Sequence, residues 1–227
     1  MLRYRHEYKY LIDASEESIL MVRAAGMLMR DPHVGESGSY VIRSLYFDDE
    51  YDTCMQDNAA GTDPRSKFRI RYYNDNANML RLEKKSKTRM MTLKESCVIS
   101  QAECQCFIDG KIPQITEDMP ESKKKLFSEM LLRNLQPKVI VTYERVPFVY
   151  PGGNVRVTFD QKISSSMQIQ SFLSGDYPQR PILPLGKSVL EVKWDELLPL
   201  HIKNALSMDT LQWAAFSKYY MCRILHL

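Results

Sequence analysis

The sequence predicts an α+β protein built on a mostly antiparallel array of about eight strands. Three observations predict it. Short segments with two-residue alternation dominate the 227-residue chain. The elements do not follow a βαβα rhythm, so a parallel sheet is not expected. The helix signals are few and fall between or after the strands. On these patterns an open sheet and a closed barrel both fit. No internal repeat, low-complexity tract or long linker interrupts the chain, and its length suits one domain over residues 1–227.

Taken in order, Arg3 to Leu11 alternates and reads as a strand. Ser15 to Arg30 reads as a helix, with Ser15 as its N-cap. Tyr40 to Phe47 is a strand, and Asp49 to Ala59 a short helix ending near Gly61. Lys67 to Tyr73 and Leu80 to Lys87 are strands joined through the turn residues Asn74-Asp75-Asn76. Met90 to Val98 extends this meander. Ser100-x-x-Glu103 is a capping-box pattern, opening a helix that stops at Gly110. Glu121 to Leu135 is a helix. Lys138 to Val149 and Asn154 to Ile163 are strands around the turn Pro151-Gly152-Gly153, and Ser171 to Ser188 is a loop. Val189 to Trp194 is the last strand, followed by helices over Pro199 to Leu206 and Met208 to Ile224.

Composition narrows the function classes. The net charge is only +3, so any preference for anions must come from where the basic residues sit. The five cysteines are few and odd in number, and Cys104-Gln105-Cys106 has no second pair to complete a zinc pattern. Reduced thiols are expected. No apolar run approaches the ~20 residues of a membrane span, and the N-terminus has no signal-peptide core. A cytoplasmic protein is the expectation. No Walker A pattern or Gly-rich phosphate loop occurs, which argues against a P-loop enzyme.

The informative feature is the second face of the strands. Residues two apart share a face. Glu7 and Lys9 share one; so do Lys67, Arg69 and Arg71; so do Arg81, Glu83, Lys85 and Lys87. Arg156, Thr158 and Asp160 share another, as do Glu191 and Lys193. For a single strand, a solvated face with cross-strand ion pairs is a sufficient account. Five such strands exceed it, because solvated faces normally mix in Thr, Ser and Gln. Several Lys and Arg converging on one cavity repel one another unless an anion fills it, and a polyphosphate suits a line of such charges. Glu7, Glu83 and Glu191 would then neutralise neighbours or hold a hard divalent cation, Mn²⁺ or Mg²⁺. Lys67 and Lys193 are candidate cofactor-binding residues on the same faces.

The set HEYKY, SLYFDD, KFRIRYYN, LRLEKKSK, LKES, VTYERVPF, VRVTFD, LEVKWDELLP and FSKYY resembles the vacuolar transporter chaperone (VTC) polyphosphate-polymerase domain. That family belongs to the triphosphate tunnel metalloenzymes, relatives of the CYTH domains. The likeness runs from about Tyr4 to Arg223. It implies an eight-stranded antiparallel β-barrel, the triphosphate tunnel, with flanking helices. It also implies transfer of the terminal phosphate of an NTP, ATP above all, to a growing polyphosphate chain with Mn²⁺ or Mg²⁺. Carried over by position, the catalytic basic residues would be Lys9, Arg69, Arg71, Lys85, Lys94, Arg145, Arg156 and Lys218, with Glu191 the principal metal ligand. Relatives also imply a membrane-protein partner that takes up the product.

Two departures bear on the reading. The CYTH triphosphatases carry ExExK, whereas this chain has Arg5-x-Glu7-x-Lys9. The missing carboxylate favours the polymerase over a tripolyphosphatase or NTP triphosphatase of the same fold. The helix before KFRIRYY lacks the family's basic residue, leaving Gln56-Asp57-Asn58-Ala59-Ala60, so that contact is either absent or supplied by Lys67 or Arg65. A non-catalytic polyphosphate-binding module is a further alternative. Nucleic acid is not an expected partner, since the basic residues alternate mainly with aliphatic ones rather than with stacking aromatics. Arg43 can face either way, and the four histidines form no ligand spacing.

Overall fold

The computed structural model describes residues 6–89 and 91–227. The expectations at Arg3 to Arg5 and at Met90 lie outside them. The elements are, in chain order, β1 (His6–Asp13), α1 (Ala14–Met27), β2 (Met29–Arg30), β3 (Tyr40–Asp48), α2 (Thr53–Ala60), β4 (Arg65–Tyr73), β5 (Asn76–Thr88) and β6 (Met91–Ile99). There follow α3 (Gln101–Ile108), α4 (Glu121–Leu132), β7 (Gln136–Tyr150), β8 (Val155–Ser166), β9 (Arg180–Pro181), β10 (Lys187–Trp194), α5 (Leu200–Ala205) and α6 (Lys218–Ile224). Eight strands hydrogen bond in the order β1-β10-β8-β7-β3-β4-β5-β6, and the two-residue strands β2 and β9 pair with β7 and β8.

The chain forms two compact units, one of residues to 41, 143–163 and 181–216, the other of residues 42–142, 164–180 and 217–227. Each has its own core. In the first, Tyr10, Ile12, Val157, Phe159, Leu190 and Val192 make the apolar strand face, covered by Leu20 and Ala24 of α1 and Ile202 of α5. In the second, Leu45, Phe47, Phe68, Ile70, Leu80 and Leu82 pack against Phe107 of α3 and Leu126, Phe127 and Met130 of α4. These apolar positions are the alternates of the charged ones. Burying one face of each strand thus gathers the charges on the other.

Local departures have local causes. Helix α1 is capped by Asp13 rather than Ser15. The Asp13 carboxylate accepts from the backbone N–H groups of Ser15 and Glu16, and the Glu16 side chain accepts from the Asp13 N–H. A carboxylate at the positive end of a helix makes the stronger, charge-assisted cap. The Ser100–Glu103 box opens α3 as expected. Helix α4 ends at Leu132 rather than Leu135, because Asn134 adopts a left-handed φ of 48°.

The largest departure is the C-terminal segment. Helix was expected from Met208, yet only Lys218–Ile224 forms one. Residues before it are drawn to the edge of β1: Trp213 bridges Tyr10, and the Ala214 N–H donates to the Lys9 carbonyl at 2.8 Å. Pairing a strand edge satisfies backbone groups that a helix there would leave exposed on the strand. Ser217 then caps α6 by accepting from the Tyr220 N–H.

Candidate functional site

In the second unit the cross-strand register makes a row of like charges. Lys67 of β4 stands opposite Lys85 of β5, and Lys85 opposite Lys94 of β6. One step along, Tyr46, Arg69, Glu83 and Ser96 form the next row, followed by Ser44, Arg71, Arg81 and Val98. Like charges placed directly opposite destabilise a sheet. Three lysines in register therefore repel one another, and Glu83 offsets part of that charge through Lys94.

Glu83 anchors this cluster. Its side chain is 2% exposed, and it pairs with Arg69 at 2.7 Å, with Arg71 at 4.0 Å, and with Lys94. Burial alone pushes its carboxyl up. The cations Arg69, Arg71 and Lys94 outweigh burial and bring it down to about 2. The Arg69 guanidinium also donates to the Tyr46 hydroxyl at 3.0 Å, and Arg71 Nε to the Ser44 hydroxyl at 3.3 Å. Both arginines are thus held in fixed poses on the strand face.

Helices α2 and α6 add to the same unit. The Lys67 ammonium donates to Asn58 Oδ1 and to the Ser217 hydroxyl, the latter at 2.8 Å. Lys67 thus reaches the α2 segment that lacks a basic residue in the sequence. Arg65 donates instead to the Thr62 carbonyl. Lys218 follows Ser217 as the first residue of α6. That helix is fixed by Tyr219, whose hydroxyl donates to Asp48 at 2.5 Å and whose ring stacks on Tyr46 with centroids 5.0 Å apart. Arg223 pairs with Asp52 at 2.6 Å. The sequence held no signal for this: Tyr219 and Asp48 are 171 residues apart. Arg43 is assigned to the opposite, packed face, where it pairs with Asp75 and lies over the Tyr177 ring.

The first unit has a different balance. Here Lys9, Arg145, Arg156 and Lys193 share a face with Glu7, Asp160 and Glu191. The register sets Glu7 opposite Lys193 and Lys9 opposite Glu191, with Thr158 and Arg156 opposite Glu191 and Lys193 on the far side. Arg145 forks onto both oxygens of Asp160, at 2.6 and 2.8 Å, and reaches Glu191 at 3.3 Å. Lys193 contacts Glu191, and Lys9 pairs with Glu7 at 2.9 Å. Burial works to lower the Lys9 ammonium, but the carboxylates of Glu191, Glu7 and Asp160 prevail and hold it above its usual range. Arg156 donates to Asp31 at 2.6 Å and to the Tyr40 hydroxyl at 3.1 Å.

This arrangement sorts the expected residues. Lys67, Arg69, Arg71, Lys85, Lys94 and Lys218 belong to the second unit with Glu83; Lys9, Arg145, Arg156 and Lys193 belong to the first with Glu7 and Glu191. Glu83 is engaged by two arginines and a lysine, as Glu191 is by Arg145 and Lys193. Asp160 and Asp31 were not among the candidates, though each anchors one. Asp160 was legible by alternation with Arg156; Asp31 sits in a connection and carried no signal. Among the described residues no three His, Cys, Asp or Glu side chains form a ready metal cage. A hard divalent cation takes one or two carboxylates and completes its shell with phosphate oxygens and water. Glu191 and Glu7, on one strand face, offer that donor chemistry.

The VTC domain family model matches residues 4–225. No curated protein matches the chain. Among solved structures, the candidate adenylyl cyclase HpAC1 from Hippeastrum, described with a dominant triphosphatase activity, aligns at 13% identity and a TM-score of 0.55. The alignment covers 100% of this chain and 97% of that one. A candidate adenylate cyclase from Bacillus halodurans aligns at 13% identity and a TM-score of 0.51, covering 92% of this chain and 87% of that one. At such identity the likeness speaks for the fold alone, an antiparallel α+β fold.

Proposed function

The chain belongs to the VTC domain family, and from that premise we propose that it is a metal-dependent polyphosphate polymerase. It transfers the terminal phosphate of an NTP, with ATP the first candidate, to a growing polyphosphate chain. The observation that carries this reading is the Lys67–Lys85–Lys94 row beside Arg69 and Arg71. Such a surface is suited to a ligand with one charge per phosphate.

In the proposed reaction an oxygen of the polyphosphate terminus attacks the γ-phosphorus of the NTP. The bond from that phosphorus to the β–γ bridging oxygen breaks, and the NDP leaves with the electron pair. Little covalent chemistry is asked of the protein, so positioning and charge neutralisation supply the catalysis. Arg69 and Arg71 present planar donors to phosphate oxygens, and Lys67, Lys85, Lys94 and Lys218 supply positive charge. Lys9, Arg156 and Lys193 do the same in the first unit, where Arg145 orients Glu191. Glu191, with Glu7, would hold Mn²⁺ or Mg²⁺, which draws charge from the phosphate oxygens when bound. A cytoplasmic location and a membrane-protein partner for the product are part of the proposal. The five thiols are all free, which suits a reducing compartment. Among the described residues no helix is long and apolar enough to cross a membrane.

The test is incubation of the purified chain with ATP and Mn²⁺, followed by gel separation of polyphosphate. Chain growth supports the reading. Release of orthophosphate from tripolyphosphate without growth supports the second reading, a triphosphatase, which the activity described for HpAC1 favours. Binding of polyphosphate without turnover would leave a binding module and overturn both.

A further inference from the structure

Two hydrogen-bond donors on β8 are buried and unmet: the Thr158 hydroxyl and the Arg156 Nε–H. Thr158 is 2% exposed. The far end of Arg156 is held by Asp31 and Tyr40, so its Nε is left over from an otherwise fixed side chain. Residues two apart on a strand share a face, which puts both donors on the charged one. Register places Thr158 directly opposite Glu191. The Glu191 carboxylate would be the natural acceptor for that hydroxyl, yet it takes Arg145 and Lys193 instead.

Buried polar groups are nearly always satisfied, so two unmet donors on one strand face require a reason. Ser188 supplies a comparison within the same sheet. Its hydroxyl is also buried and unmet. It stands opposite Ile12, on the apolar face. There no charged ligand has a place.

The geometry points to Thr158 as a phosphate-binding residue: its hydroxyl, with the Arg156 Nε–H, donates to oxygens of a bound phosphate chain beside Glu191. This rests on the function proposed above and adds to it a neutral donor. A hydroxyl binds a phosphate oxygen without adding positive charge to a face that already carries four cations. Held empty, the donor costs stability; filled, it contributes to affinity.

The experiment uses the full chain and three variants, Thr158→Val, Thr158→Ser and Ser188→Ala. Each is measured by calorimetric titration with sodium tripolyphosphate, with and without MnCl₂, and by thermal melting without ligand. Valine keeps the branched shape of threonine and removes only the hydroxyl. The expected result is an unliganded Tm for Thr158→Val that is unchanged or raised, with tripolyphosphate Kd weakened about tenfold, the loss of one charge-assisted hydrogen bond. Thr158→Ser restores the affinity, and Ser188→Ala leaves Kd unchanged. A fall in the unliganded Tm of Thr158→Val would show that the hydroxyl serves the fold, and would overturn the inference. So would a Kd equal to that of the unmodified chain. An unmodified chain that fails to bind tripolyphosphate would overturn the proposed function as well, which separates the two failures.

Discussion

Arg145 grips Asp160 with both arms of its guanidinium, Nε to one carboxylate oxygen at 2.6 Å and Nη2 to the other at 2.8 Å. The same Nη2 reaches Glu191 at 3.3 Å. Asp160 is fully buried and Glu191 nearly so. In the folded protein this arginine brackets two acids. Burial works against its charge, but Asp160, Tyr143 and Glu191 hold the guanidinium well above its usual range.

Arg145→Ala removes the forked partner of the buried Asp160 and one of the cations that contact Glu191. Breaking a buried pair from one side costs about 3–5 kcal/mol. The expected outcome is a large loss of stability in chemical denaturation, together with lost activity. A variant that melts like the unmodified chain would show that Asp160 and Glu191 find compensation elsewhere.

Lys85→Ala should behave in the opposite way. Lys85 stands between Lys67 and Lys94 in the ladder, so its removal relieves repulsion. The expected outcome is a Tm unchanged or raised, weaker tripolyphosphate binding, and a shallower dependence of that binding on salt. Arg69→Ala differs from it, because Arg69 pairs with the buried Glu83; a measurable loss of stability is expected there.

The acid limb of the stability profile should carry the signature of Glu83. Its folded pKa is about 2, against an ordinary 4.5. A carboxyl with a depressed folded pKa contributes stability above its unfolded pKa and loses it as pH falls through the folded one. The window is therefore from about pH 4.5 down to about pH 2, and the contribution is on the order of 3 kcal/mol. Denaturation measured across that range should fall steeply in the unmodified chain and less steeply in Glu83→Gln. Parallel profiles would show that other carboxyls set the limb.

Tyr219→Phe tests the seating of α6. The hydroxyl donates to the fully buried Asp48, which also accepts from the N–H groups of Cys54 and Met55 at the start of α2. Losing one donor to a buried carboxylate costs about 1–3 kcal/mol, or about 2–4 °C of Tm per kcal/mol for a chain of this size. Activity should fall with it, since α6 carries Lys218 and its cap Ser217 holds Lys67. A full-strength, fully stable variant would detach α6 from the site.

The sequence by itself determined the sheet class, most strand positions and the two-faced character of every charged strand. That follows from locality: side-chain alternation has a period of two residues and is readable wherever it occurs. Arg69 with Arg71, Glu83 with Lys85, Arg156 with Asp160, and Glu191 with Lys193 were each legible as sharing a strand face before any partner was known. Only the tertiary structure decided what each charge meets. Register between strands far apart in the chain made Lys67, Lys85 and Lys94 a row, and brought Arg145 to Asp160 and Glu191. It decided too that residues before Ser217 pair with the edge of β1 rather than coil, because that edge offered backbone groups needing partners. Local pattern states which way a side chain turns; non-local pairing states what stands opposite it.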